Sequence, residues 1–216
     1  MVSLDLESLV TQLSSDDKHV RRRAIEQLRS LLPDVRGHML DAISSSEWKV
    51  RASAAAVLDH AEQDEAVERA LRKAARDPDA RVRDAAFHSL SCVHCKPEGC
   101  VAGESIDVLV HGLLHDPSVR VRRKIAGDLM WQQHGTPPSV VAAFRLLLRD
   151  DDRVLRDRAA AFLASVEVPR ADVPYREWLP AWQACKAELL VSPPYGPSSP
   201  ACDAPSLRRR RPRCGC

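Results

Sequence analysis

An all-α fold of stacked helical hairpins is what this sequence predicts, and three observations support it. A five-residue phrase, Val-Arg-x-x-Ala, recurs along the chain and is followed four residues later by Leu. Its copies begin at Val20, Val50, Val82, Val121 and Leu155, the last two being looser, so the intervals are 30, 32, 39 and 34 residues. A period in this range is typical of stacked supersecondary units. Aromatic residues make up only 4% of the chain, which favours close-packed helices over sheets.

Each repeat is predicted to contain two antiparallel helices joined by an acidic turn. In the third repeat the first helix is expected over 65–76, and Asp77-Pro78-Asp79 then ends it and begins the next. Aspartate can cap exposed N–H groups, and proline is tolerated in a first helical turn. The Val, Ala and Leu of the phrase are spaced i, i+4 and i+8, so they lie along one stripe of the second helix. The small Ala in the middle lets a neighbouring helix approach closely.

The rest of the chain is predicted to complete this single domain and to end in a disordered tail. Residues 1–191 form the repeat domain, with a cysteine-rich loop inserted at about 92–103. Residues 174–191, which contain two tryptophans, are expected to form a last amphipathic helix that covers the final apolar face. From residue 192 to 216 the chain is rich in Pro and Ser and then in Arg, a composition typical of disorder.

The recurring phrase resembles the HEAT family, especially the short bacterial HEAT-like repeats first noted in phycobilin lyases. The resemblance covers about residues 3–166. It implies a right-handed α-α superhelix, a HEAT-type α-solenoid, of about five helical hairpins plus a C-terminal capping helix. Solenoids of this kind mostly bind other molecules, so we expect a non-enzymatic scaffold that binds a partner protein on its concave face.

The predicted partner-binding residues lie on or next to the second helices, which would line that face. They are Trp48, Arg51, Arg83, Arg122, Arg123 and Trp131. The arginines of the phrase have another interpretation, in which they form an internal ladder with turn aspartates such as Asp17, Asp79 and Asp152. Each such surface pair would contribute only about 0–1 kcal/mol.

A structural zinc site is predicted where the interval between repeats lengthens to 39 residues. His88 and Cys92 are spaced i, i+4, and Cys95 and Cys100 follow in the inserted loop, so together they supply the ligands of a closed tetrahedral site. His94 is the alternative fourth ligand. Two other interpretations stay open, namely thiols that bind no metal and a redox pair formed by Cys92 and Cys95.

Charge and residue pairs limit the other functions that the chain could perform. The net charge is +2, of which residues 193–216 contribute +4, so the repeat region is close to neutral and a poor match to a basic nucleic-acid surface. A nucleic-acid-binding protein or a HEAT-type DNA glycosylase is nevertheless one alternative, and a bilin lyase-like chromophore-attachment factor is a second. The di-iron hydroxylases of the HEAT group carry His-Glu pairs, and none of the eight histidines here precedes Glu. No catalytic residue is assigned.

The expected location is the cytoplasm. No apolar run reaches the 18 residues that a membrane span requires, and the first residues lack the pattern of a signal peptide. In that compartment, seven cysteines favour metal binding or free thiols over disulfides. We expect a monomer with no membrane partner.

Overall fold

The computed structural model describes residues 6–92, 105–130, 136–168 and 174–191. These residues contain eleven α-helices and no strand, and the first ten helices pair as five consecutive hairpins. The helices are α1 (Leu6–Gln12), α2 (Lys18–Ser30), α3 (Arg36–Ala42), α4 (Trp48–Leu58), α5 (Glu65–Ala74), α6 (Ala80–Ser91), α7 (Ile106–His115), α8 (Val119–Leu129), α9 (Pro138–Leu147), α10 (Arg153–Glu167) and α11 (Tyr175–Val191). The predicted all-α solenoid of five hairpins and a last helix is confirmed.

The helices belong to two compact units. Residues 1–135 carry α1 to α8, and residues 136–216 carry α9 to α11. The prediction of one domain over 1–191 stays a prediction, and the predicted tail, 192–216, lies outside the described residues. None of the described helices is both long enough and apolar enough to cross a bilayer.

In the first unit, the second helices of the hairpins pack side by side in the order α2, α4, α6 and α8. Each begins two residues before the valine of its phrase. The central small or branched residue of the phrase is fully buried in every copy, as are most of its flanking Val and Leu residues. These central residues are Ala24, Ala54, Ala86, Ile125 and, in the second unit, Ala159. The phrase therefore forms the buried stripe that its spacing predicts.

In three of the five hairpins, the acidic turn caps the second helix as expected. Asp17, Asp79 and Asp152 are the N-cap residues of α2, α6 and α10, and each carboxylate accepts a hydrogen bond from a main-chain N–H in the first turn at 2.8–3.0 Å. Asp64 does the same for α5, accepting from the N–H groups of Ala66 and Val67. These bonds satisfy donors that no residue within the helix can reach.

The arginine of each phrase reaches back to the turn that precedes its own helix. Its Nη1 donates to main-chain carbonyls five or six residues earlier, as from Arg51 to Ser46 at 2.8 Å and from Arg83 to Asp77 at 2.8 Å. Arg21, Arg122 and Arg156 make the same contact. The arginine therefore ties the second helix to the turn of its hairpin, which a shorter side chain could not reach.

Two of these arginines also pair with a carboxylate of the following repeat. Arg51 donates from Nε and Nη2 to Asp77 at 2.7 and 2.9 Å, and Arg83 donates in the same bidentate way to Asp116 at 2.8 and 3.0 Å. The predicted partners of the ladder were wrong, because Asp17, Asp79 and Asp152 cap helices instead. The aspartate that opens the next turn is the one that faces the guanidinium, and only the stacking of repeats brings it there.

In the second unit, α11 packs along α10. The indole N–H of Trp178 donates to the carbonyl of Val168 at 2.9 Å, and that of Trp182 donates to the hydroxyl of Ser165 at 3.0 Å. Cys185 and Leu189 are buried one and two turns later. The prediction of a last helix at 174–191 is confirmed, whereas the expectation that the cysteines avoid disulfides is wrong for Cys185, which is disulfide-bonded.

Replacing Trp178 with phenylalanine should lower the free energy of unfolding by about 1–2 kcal/mol, because a partly buried carbonyl loses its donor. Trp182→Phe is the matched control, since it removes the same N–H from an exposed hydroxyl that water can satisfy. We expect the control to cost less than about 0.5 kcal/mol. Urea unfolding followed by far-UV circular dichroism measures both, and equal losses would contradict the contact that we assign to Trp178.

Candidate functional site

Three potential ligand groups meet where α4 and α6 end side by side. Asp59 directly follows Leu58 as the C-cap of α4, His88 lies in the last turn of α6, and Cys92 is the C-cap of α6. One ligand atom from each, a carboxylate oxygen, a ring nitrogen and the thiol sulfur, lies within 4.8 Å of the other two. We call these three residues the Asp59 cluster.

The structure brings together two of the four predicted zinc ligands, His88 and Cys92, as their i, i+4 spacing indicates. Cys95 and Cys100 lie outside the described residues, as does the alternative ligand His94. Asp59 was missed by sequence reasoning because it belongs to the preceding repeat, 29 residues before His88. An alignment of the repeats could have indicated Asp59, because it places the ends of successive second helices next to each other.

Asp59 has an unusual environment for a carboxylate. It is 0% exposed, and among the described residues no donor makes a hydrogen bond to either of its side-chain oxygens. The nearest basic atoms are Nε2 of His88, at 3.7 Å from Oδ2, and Nε2 of His60, at 3.8 Å. Burying a charged oxygen without a hydrogen bond is costly, so this position calls for a positive charge or a donor.

The other side of the His88 ring faces α8. Its Nδ1 lies 3.3 Å from Oδ2 of Asp128, and Nζ of Lys124 lies 3.2 Å from the same Nδ1 and 3.5 Å from that carboxylate. Ser91 also donates to Asp128, at 3.2 Å. Burial alone would raise the pKa of Asp128, but its hydrogen bond with His88 and the charge of Lys124 outweigh burial and hold that pKa below its usual range. Asp128 is therefore an ionised acceptor that orients the imidazole.

His60 lies at the exposed edge of the cluster. Burial lowers its pKa, and the charge of Arg29 lowers it further, against the opposing effect of Asp59. A histidine whose pKa lies below 6.5 is mostly neutral at pH 7, so His60 does not supply the positive charge that Asp59 lacks.

A second feature is the exposed side of α4, α6 and α8, which we call the second-helix face. It is defined by Trp48, Arg81, Asp84, His88, Arg120 and Lys124. The guanidinium carbon of Arg81 lies 3.6 Å from the centroid of the Trp48 ring, a cation–π contact that links α4 to α6. Arg120 lies 3.8 Å from a carboxylate oxygen of Asp84 and links α6 to α8.

Asp84 is the under-satisfied group of this face. Its Oδ1 is buried and, within the described part of the chain, accepts no hydrogen bond. Burial raises the pKa of Asp84, against the opposing charges of Lys124 and Arg120. Its other oxygen, Oδ2, lies 3.8 Å from Arg120, too far for a hydrogen bond, and could accept one from a molecule that covers the face.

The six predicted partner-binding residues differ in availability. Arg51 and Arg83 are largely buried and use their donors inside the ladder. Arg122 and Arg123 are half-buried on α8, Trp48 lies on the second-helix face, and Trp131 lies outside the described residues.

The first helices form a groove of their own. It has a volume of about 1230 Å³ and lies between α3 and α5. Leu40, Ile43 and Ala70 contribute apolar surface, and Arg69 and Lys73 are among the charged residues that line it. This groove offers a natural control surface for experiments on the second-helix face.

No protein-family model matches the chain, and no curated protein sequence matches it. Solved structures do. A crystal structure of an engineered protein is 19% identical and superposes with a TM-score of 0.52 over 87% of this chain and 95% of the other. A computationally designed armadillo repeat protein for modular peptide recognition is 15% identical and superposes with a TM-score of 0.51 over 87% of this chain and 99% of the other. A designed armadillo repeat protein in complex with the peptide (KR)4 is 15% identical and superposes with a TM-score of 0.51 over 86% of this chain and 99% of the other. These likenesses establish a helical repeat fold.

Proposed function

We propose that this chain is a non-enzymatic scaffold that binds a segment of another protein along the second-helix face. The observation that carries the proposal is Asp84, a carboxylate of this face whose Oδ1 receives no hydrogen bond from the described residues and whose Oδ2 lies 3.8 Å from Arg120, too far for a hydrogen bond. A lysine, an arginine or a main-chain N–H of a bound segment would supply a donor to Oδ2. Trp48 and Arg81 lie on the same face and offer apolar and charged contact area.

The charges of this face favour a protein over a nucleic acid. Arg81, Arg120 and Lys124 alternate with the carboxylates of Asp84 and Asp128, whereas a nucleic acid selects clustered basic residues. A protein segment with both signs of charge complements such a surface, and the pairing of charges fixes its register.

The similar solved structures support this kind of function. Two of them are designed armadillo repeat proteins, one made for modular peptide recognition and one in complex with a peptide. The finer assignment, to the short HEAT-like repeats, rests on the Val-Arg phrase. The proposal takes the protein to act as a monomer in the cytoplasm, as expected from its sequence.

Selection of random peptides on the immobilised full-length protein tests the proposal. Peptides that are enriched should lose at least about tenfold in affinity when Asp84→Lys or Arg81→Glu reverses a charge of the second-helix face, because each reversal replaces an attraction by a repulsion. Fluorescence anisotropy with labelled peptides measures the affinity of each variant.

Arg69→Glu is the matched control for Arg81→Glu, since Arg69 is an exposed arginine on α5 that pairs with Glu65 one turn away. Binding that falls with Arg69→Glu and not with the second-helix variants would move the site to the groove between α3 and α5. Salt-sensitive binding of duplex DNA that Arg120→Glu abolishes would favour the nucleic-acid alternative.

A further inference from the structure

We propose that Asp59, His88 and Cys92 bind a divalent transition-metal ion, zinc being the ion that their ligand chemistry favours. The site differs from the one expected from the sequence, because its third ligand is a buried carboxylate of the preceding repeat. It joins the end of α4 to the end of α6 and so bridges two repeats.

The ligand atoms of the Asp59 cluster lie near enough to one another to converge on one ion. Zinc bonds of about 2.0–2.3 Å in a tetrahedron hold neighbouring ligand atoms roughly 3.4 Å apart. Nε2 of His88 and Oδ2 of Asp59 are 3.7 Å apart, which is too long for a hydrogen bond but close to this value. The sulfur of Cys92 completes a set in which all three ligand atoms lie within 4.8 Å of one another.

The charges of the cluster also match a divalent cation. Asp59 contributes one negative charge and a deprotonated Cys92 a second, so a doubly charged ion makes the centre neutral. Both residues are buried, at 0% and 7% exposure, and water therefore cannot stabilise their charges. A metal removes the cost of a carboxylate that receives no hydrogen bond from the described residues.

The surroundings of His88 prepare it as a ligand. Metal-binding histidines commonly donate their second ring N–H to a carboxylate, which fixes the tautomer and the orientation of the ring. Here Nδ1 of His88 meets Asp128 at 3.3 Å, and Asp128 is itself held by Ser91 and Lys124. In the tautomer whose proton is on Nδ1 and is donated to Asp128, Nε2 carries the lone pair and faces Asp59, which is the arrangement that a metal ion at Nε2 requires.

The ligand types determine which ion is favoured. A thiolate and an imidazole select zinc and similar transition metals over magnesium and calcium, which prefer oxygen ligands alone. The described residues supply three ligands and leave one position of a tetrahedron for a water molecule. The proposal does not require Cys95 or Cys100, and their substitution separates it from a site built by the inserted loop.

Metal analysis of the full-length protein, together with titration by zinc from a chelating buffer, tests the site. We expect about one zinc per chain and at least about a tenfold loss of zinc affinity in each of Asp59→Asn, His88→Gln and Cys92→Ser. His111→Gln and Asp151→Asn are matched controls at exposed positions and should leave the affinity unchanged. Cobalt substitution adds a spectroscopic readout, a thiolate-to-cobalt absorption band that Cys92→Ser abolishes.

Melting temperatures in the presence of a chelator separate a ligand from a structural ion pair. If Asp59 is a metal ligand, Asp59→Asn raises the melting temperature of the metal-free protein, because it removes a buried charge, and it eliminates the stabilisation that zinc confers on the unsubstituted protein. If Asp59 serves only as the ion-pair partner of His88, Asp59→Asn lowers the melting temperature and zinc has no effect. The second result overturns the proposal, as does zinc binding that requires Cys95 and Cys100 but not Asp59.

Discussion

Replacing Asp116 with alanine should lower the free energy of unfolding by about 3–5 kcal/mol, because it leaves a buried guanidinium without its carboxylate. The side chain of Asp116 is 3% exposed and that of Arg83 is 11% exposed, and two hydrogen bonds join them. Asp116 also accepts from the N–H of Ser118 at 2.8 Å and so holds the turn that begins α8. Urea unfolding of the full-length protein, followed by far-UV circular dichroism, measures the loss.

Asp16→Ala is the matched control for this experiment. Asp16 is also a turn aspartate paired with a cation of a neighbouring repeat, Lys49, but its side chain is 98% exposed. Because water surrounds its carboxylate and screens the charge, this pair should contribute much less to stability than the buried pair of Arg83 and Asp116. Similar losses for Asp116→Ala and Asp16→Ala would contradict the buried ladder that we describe.

A double variant separates the burial of charge from the loss of a contact. Arg83→Met together with Asp116→Leu should be considerably more stable than Asp116→Ala alone, since apolar residues of similar size can replace a buried ion pair at little cost. Failure of the double variant to recover stability would assign the loss to the other contacts that it lacks, namely the hydrogen bond from the N–H of Ser118 to Asp116 and those from Arg83 to the carbonyls of Asp77 and Pro78.

Replacing Gly112 with alanine should destabilise the protein by about 1–3 kcal/mol, although alanine is the better helix former. Gly112 lies in the interior of α7, and a Cβ there would come within 2.3 Å of the ring of Phe87 and 3.0 Å of Cδ1 of Ile125. Phe87 is 3% exposed and its ring is rigid, so the helices must move apart. Thermal and urea unfolding measure this change.

Gly37→Ala is the control, and its effect should have the opposite sign. Gly37 is helical in α3, and nothing lies within 4 Å of the position that its Cβ would take. The variant should therefore gain up to about 1 kcal/mol from helix propensity. Phe87→Leu, which shortens the opposing side chain, should reduce the cost of Gly112→Ala in a double-variant cycle. A stabilising Gly112→Ala would contradict the close approach of α7 to α6.

The sequence alone predicts most of the local structure in this protein. Spacing of i, i+4 and i+8 places Ala54 and Ala86 on a buried stripe, and the aspartates at 17, 79 and 152 cap helices as their positions in the turns indicate. The last helix, α11, begins and ends within a residue of its predicted bounds. These features depend on neighbours within about two helical turns, so a short window of sequence contains their causes.

The contacts between repeats could be identified only from the tertiary structure. The carboxylates that pair with Arg51 and Arg83 are Asp77 and Asp116, which lie 26 and 33 residues away, and local reasoning chose the helix caps instead. For the same reason the sequence indicated His88 and Cys92 as ligands that face one spot but did not indicate Asp59, which the packing of α4 on α6 brings to them. A repeat period determines which units stack, whereas the charged partner that each buried side chain meets depends on the angle and register of that stacking, which only the folded chain specifies.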